Sequence, residues 1–181
     1  MPLLLLCEKG EIKMANNTQS VEQTIWNFLK SQGFTDAGAA GAMGNFYAES
    51  GFVSNSMEDS YEPVYGYNNE TYTAAINSGK ISRHWFSTNP IGYGLVGWTW
   101  WELKQGLWDY AKETTNPFDI SDLNMQLNYF IKNLKEFYPS RILNTLKTTN
   151  SVREASNIVL LEYEKPADQS PSMQNKRAGF A

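Results

Sequence analysis

Apolar residues recur at helical spacing along most of this chain. Ser20-Val21-Glu22-Gln23 reads as a capping box opening an amphipathic helix with Val21, Ile25, Phe28 and Leu29 inward, closed by Gly33. The strongest periodic stretch sets Leu123, Leu127, Phe130, Leu134 and Phe137 on one face before Pro139 ends it. Thr99-Trp100-Trp101-Glu102 and Ser151-Val152-Arg153-Glu154 read as further capping boxes. The first starts a helix carrying Leu103, Leu107 and Tyr110, the second one carrying Ala155, Ile158, Val159 and Tyr163. A short helix is expected around Ile142 to Leu146, and Ser170-Pro171 caps a final one with proline at its favoured first position.

A different pattern runs from Thr35, an N-cap with Asp36 in the first turn, to Gly51 as the glycine stop. Its interior, Ala37-Gly38-Ala39-Ala40-Gly41-Ala42-Met43-Gly44, is built from small residues. Each glycine inside a helix costs about 1 kcal/mol against alanine, which is sustainable where neighbouring helices pack against the bare backbone. This is therefore expected to be the central helix. At helical spacing Glu49, near its end, shares a face with Ala42, Asn45 and Phe46.

Between Ser54 and Trp98 the chain turns rich in Asn, Ser, Gly and Tyr, ending in Gly92-Tyr93-Gly94-Leu95-Val96-Gly97-Trp98-Thr99. Alternating glycines there suit a hairpin whose backbone lets another chain approach closely. The expected fold is mainly α (α+β), with about six to seven helices and one small β-hairpin beside a cleft. No repeat or linker divides residues 20–181, and 181 residues suit one domain.

Glu49 is the candidate chemical centre. A helix C-terminus carries partial negative charge, so a carboxylate there is disfavoured by roughly 0.3–1 kcal/mol, and partial burial disfavours the ion further. A carboxyl group kept neutral is what protonates a leaving sugar oxygen in glycoside cleavage. A second carboxylate is expected from the loop holding Glu58, Asp59 and Glu62, with Asp59 the choice.

The rest of the inventory narrows the chemistry. A formal charge of −4, with no Lys/Arg cluster interleaved with aromatics, argues against nucleic-acid binding. No apolar run approaches the ~20 residues of a membrane span. His84 is the single histidine, so a zinc site or a Ser-His-Asp triad is not expected, and no metal or other cofactor is called for. No phosphate loop or dinucleotide fingerprint appears. Six Trp and ten Tyr, several in Gly-rich surroundings such as Tyr65, Tyr67, Tyr93, Trp98 and Trp101, suit stacking on sugar rings. Residues 1–19 read as a non-domain segment. Met1 to Cys7 lacks a basic start, its apolar run is too short for a signal peptide, and Glu8-Lys9-Gly10-Glu11 follows at once. The Lys-Gly-Glu codons fit a ribosome-binding sequence ahead of Met14, so Met14 is the expected start and Cys7, the single cysteine, is expected outside the native chain.

Three segments together carry a resemblance: Gly-Asn-Phe-Tyr-Ala-Glu-Ser-Gly-Phe ending the small-residue helix, Gly-Tyr-Gly-Leu-Val-Gly-Trp-Thr, and Glu-Tyr-Glu-Lys-Pro-Ala-Asp-Gln before a terminal Lys-Arg-Ala. From about Ser20 to Ala181 the chain resembles the phage tail-type lysozymes, peptidoglycan hydrolases of the lysozyme and lytic transglycosylase superfamily. The resemblance implies a lysozyme-like fold, Glu49 as general acid supported by Ser50, and sugar subsites lined by Tyr93, Leu95 and Trp98, with Asn45 beside them. It implies glycan strands of peptidoglycan as the partner, phage tail proteins as further partners, a monomeric domain, and a place in a virion tail or at the bacterial wall. Cleavage of the β-1,4 bond between N-acetylmuramic acid and N-acetylglucosamine is the implied reaction. A lytic transglycosylase on the same bond and a non-catalytic wall-binding module are the alternatives. The chain departs from the family at Val96-Gly97, where Ala-Gln is common, and lacks the usual arginine near Trp101-Glu102-Leu103.

Overall fold

The computed structural model describes residues 20–181. The readings of Met14, Cys7 and the 1–19 segment lie outside the described residues. Ten α-helices follow one another: α1 (Val21–Ser31), α2 (Asp36–Ser50), α3 (Glu62–Tyr65), α4 (Asn69–Asn77), α5 (Arg83–Thr88), α6 (Trp101–Thr114), α7 (Leu123–Phe137), α8 (Asn144–Thr148), α9 (Val152–Ile158) and α10 (Pro171–Ala178). Among the described residues no helix is long and apolar enough to cross a membrane.

The helix count exceeds expectation because α3, α4 and α5 fill the Asn-, Ser-, Gly- and Tyr-rich stretch between Ser54 and Trp98, where the sequence pattern predicts no helix. In α4, Asn68 and Thr71 cap each other reciprocally and Tyr72, Ala75 and Ile76 turn inward, so a short apolar stripe suffices once the ends are satisfied. Among the described residues the small β-hairpin is not formed. Its β character shrinks to two single bridges, Met57 with Tyr93 and Tyr93 with Trp98. The chain reverses between Tyr93 and Trp98 through a turn closed by Gly97 N–H on the Gly94 carbonyl, and both glycines have positive φ. The ladder does not extend away from the turn, because Ile91 N–H goes to Asn89 Oδ1 and the Ile91 carbonyl to the Lys104 ammonium. The capping box at Thr99 also fails: Thr99 Oγ1 donates to the Gly97 carbonyl, and α6 starts after Trp100 without a side-chain cap.

α2 is the central helix its small residues predict. Thr35 Oγ1 accepts from Gly38 N–H, and Gly51 ends the helix in the left-handed conformation. A Cβ on Gly38 would overlap the Leu146 carbonyl. On Gly41 it would lie 2.5 Å from the Ala155 Cβ, and on Gly44 2.5 Å from the Arg177 carbonyl oxygen. Glycine thus lets α8, α9 and α10 reach the α2 backbone. Phe46 points into the core and meets Phe130 edge-on at 5.0 Å.

After Ile158 the chain widens into a π-helical turn, Val159–Glu164, ended by Lys165 at φ +48°. Such widened turns shift side-chain directions relative to a regular helix. Here the adjacent Tyr163 and Glu164 both turn inward. On the far side Lys104 of α6 is fully buried, its ammonium donating to the Asn89 carbonyl, Asn89 Oδ1 and the Ile91 carbonyl at 2.8–3.0 Å. Burial lowers Lys104 to about 7. The three bonds pin the segment entering the Gly92–Thr99 loop.

Candidate active site

The C-terminal turn of α2 delivers Glu49 and Ser50 to the Gly92–Thr99 loop. Ser50 Oγ lies 3.0 Å from the Phe46 carbonyl oxygen and 2.8 Å from that of Leu95, and donates toward them. Gln126 of α7 holds the same loop residue from the other side, its Oε1 accepting from Leu95 N–H at 2.8 Å. Gln126 Nε2 donates to the Ser54 and Ile120 carbonyls. The loop is therefore clamped between α2 and α7, and its backbone is pressed against Glu49. A Cβ on Gly97, where φ is +61°, would stand 2.6 Å from Glu49 Oε2. The Val96-Gly97 departure thus has a local reason: the space a side chain at 97 would enter belongs to the Glu49 carboxylate.

Glu49 is a quarter exposed and is bonded to a cation the sequence did not pair with it. Arg177 of α10, with its side chain 8% exposed, places Nη2 2.5 Å from Glu49 Oε1 and Nη1 3.1 Å from Glu164 Oε2. Arg177 Nη1 also reaches the Asn45 carbonyl at 3.4 Å. A guanidinium suits this place because its planar fork serves two carboxyl groups at once. Glu164 is 5% exposed at its side chain, and its Oε1 is buried without a hydrogen-bond partner. Burial first, then the neighbouring Glu49 charge, push the Glu164 carboxyl up to about 8 against the opposing pull of Arg177. The apolar, helix-end setting expected around Glu49 is thus joined by an ion pair, and the strongly buried acid of the site is Glu164.

The structure places the other expected residues differently. Asp59 is exposed on the 3-10 turn Asp59–Tyr61, and the carboxylate tied to the loop is its neighbour Glu58, whose Oε2 accepts from Gly92 N–H at 3.2 Å. Tyr93, Leu95 and Trp98 are core side chains, not subsite walls. The Tyr93 hydroxyl pairs with Thr73 Oγ1 at 2.7 Å, and burial raises its pKa. Trp98 Nε1 donates to the Tyr163 hydroxyl at 3.0 Å and its ring meets Tyr129 at 5.5 Å. Asn45 is fully buried and faces α9, donating to the Gly41 and Ser156 carbonyls. Polar tips satisfied inside the protein explain why aromatic residues in Gly-rich sequence are buried here.

Exposed aromatics occur elsewhere. A groove of about 1000 Å³ between α6, α7 and the Tyr163–Lys165 segment is lined by Trp100, Tyr110, Phe137 and Tyr138, with Glu164 at its wall. Trp100 and Phe137 are largely exposed. Thr99, bonded to the Gly97 carbonyl, joins this groove to the loop against which Glu49 lies.

A helical domain whose central helix carries a carboxyl group in its last turn, set near a groove with exposed aromatics, is compatible with a lysozyme-like glycosidase. The model of the phage tail lysozyme family matches residues 20–181, and the chain belongs to that family. Membership supports lysozyme-type action on peptidoglycan as the general activity. No curated protein matches the chain.

Proposed function

We propose that the chain cleaves the β-1,4 bond between N-acetylmuramic acid and N-acetylglucosamine in peptidoglycan, with Glu49 as general acid. The observation that carries this reading is the position of Glu49: it ends the central helix, partly exposed, with one carboxyl oxygen on Arg177 and the other against Gly97. The glycan strand lies in the groove past Trp100 and Phe137, whose exposed rings suit sugar faces. Glu49 gives its proton to the glycosidic oxygen as the bond to the anomeric carbon breaks. Water then bonds to that carbon and returns a proton to Glu49, so the acid is restored. Asp59, exposed and outside this group, is not given a role in the step. The protein acts at the bacterial wall, from a phage tail or free.

The test is clearing of purified walls by the wild type and by Glu49→Gln, with binding to walls measured alongside. General acid catalysis is worth about 10²–10⁴-fold, so the variant is expected to bind and lose that factor. Clearing by Glu49→Gln at the wild-type rate overturns the assignment, and wild-type binding without clearing marks a wall-binding module instead. Mass spectrometry of the products is expected to show reducing ends. Products ending in 1,6-anhydro sugars assign the transglycosylase reaction.

A further inference from the structure

Among the described residues Arg177 is the sole cation bonded to two carboxyl groups on different elements, Glu49 on α2 and Glu164 on the widened turn after α9. We propose that Glu164 is the positioning residue that keeps an exchangeable proton in the Glu49 site, the two carboxyl groups sharing it across the Arg177 guanidinium. The proposal rests on the reading of Glu49 as proton donor.

Charge and burial lead to it. With both carboxyl groups ionised, one guanidinium leaves the buried cluster with an uncompensated negative charge, whereas one bound proton makes it neutral. Glu164 Oε1 has no hydrogen-bond partner, and an unpartnered buried oxygen is far cheaper on a neutral acid than on an anion. The surroundings offer no other relief. Lys165 is exposed beyond the turn, Lys132 at the groove is paired with Glu136, and Glu102 on the groove wall bonds to Trp100 Nε1. Of the other titratable groups lining the groove, Asp109 is paired with Arg83, Glu113 is exposed, and Tyr138 and Tyr163 are phenols, burial raising the pKa of Tyr163.

The proton resides on Glu164 or on Glu49, two protonation states of one coupled pair. The pair as a whole holds the proton, so it stays beside Glu49 until the pair loses it. Glu164 thus keeps that proton within reach of Glu49, which is itself bonded to Arg177.

The experiment uses the full chain, labelled with ¹³C at the glutamate carboxyl carbons, titrated by NMR, with the pH profile of wall clearing recorded on the same samples. In the wild type a carboxyl titration step above neutrality is expected. Glu164→Gln, an isostere of the neutral acid, is expected to fold, to lose that step, and to move the alkaline limb of clearing to lower pH by about one unit, read as about a tenfold loss beyond the limb. Glu164→Asp is expected to restore the limb in part. In Glu49→Gln the remaining acid has Arg177 to itself, and its titration is expected to fall. The proposal is overturned if no carboxyl group titrates above neutrality in the wild type, if the step survives in Glu164→Gln, or if Glu164→Gln changes the melting temperature but not the limb. Should Glu164→Gln not fold, the wild-type and Glu49→Gln titrations decide alone. They also separate the two readings: a Glu49→Gln variant that clears walls removes Glu49 from catalysis while the titration still reports whether the proton is shared.

Discussion

Gly97→Ala puts a methyl group where the structure has the Glu49 carboxylate. Two costs can be separated. At φ +61° the alanine backbone enters the left-handed region, worth roughly 1–2 kcal/mol. The added Cβ would also stand 2.6 Å from Glu49 Oε2, so the carboxylate must retreat by roughly 1 Å to reach an ordinary contact of about 3.5 Å. That retreat strains the 2.5 Å bond to Arg177, and a hydrogen bond to a charged group is worth about 1.5–3 kcal/mol. The total expected loss is about 2.5–5 kcal/mol. Gly79→Ala is the control, because Gly79 has φ +78° and no heavy atom within 4 Å of its added Cβ. It bears the backbone cost alone. Urea denaturation of the three proteins is expected to rank them wild type, Gly79→Ala, Gly97→Ala. Clearing rates are expected to fall by about 10²-fold in Gly97→Ala, the usual consequence of displacing a reacting group by about 1 Å, and to be unchanged in Gly79→Ala. Equal stability and equal clearing in the two variants would refute the packing of Glu49 on the loop.

Trp98 is 2% exposed, so Trp98→Ala is expected to lose about 3–5 kcal/mol in urea denaturation. A variant of unchanged stability with weakened glycan binding would return Trp98 to the sugar surface. Stability should also depend on pH through Glu164. Its carboxyl is raised from 4.5 to about 8 in the folded chain, so between those values the folded state binds more protons than the unfolded one. The contribution is complete below the ordinary value and is lost as pH rises through about 8. Thermal melts across this window are expected to fall with pH in the wild type and to fall less in Glu164→Gln, and parallel curves would show that Glu164 titrates normally.

Most of α2 was legible because its signals are local: Thr35 and Gly51 mark its ends, and the stripe of Gly38, Gly41 and Gly44 announces close neighbours. Glu49 stood out for the same reason. Its partners did not, although both lie inside segments that carried the family resemblance. Glu164 turns inward because the helix widens after Ile158, and Arg177 meets it because α10 docks on α2, and neither event is written in the residues nearby. In the Gly92–Thr99 loop, alternating glycine reads as a hairpin approached by another chain, whereas the structure has no hairpin and Gly97 is approached by the Glu49 carboxylate. Tyr93 and Trp98 were placed on the surface because their sequence neighbours are small or glycine. Thr73 and Tyr163, distant in sequence, satisfy their polar atoms inside.

The contacts that seat α2 also set an order of events during synthesis and folding. Asn45 bonds to Ser156 across 111 residues, and Glu49 meets Arg177 across 128. Pairings of such range form late, because the intervening chain must surrender its loop entropy before they return any energy. A ribosome adding residues in sequence exposes α2, with its bare glycine backbone, long before α9 and α10 exist to cover it. The acid and its guanidinium can therefore meet only once Arg177 has been synthesised, and a nascent chain carries Glu49 without the charge arrangement that surrounds it in the finished domain.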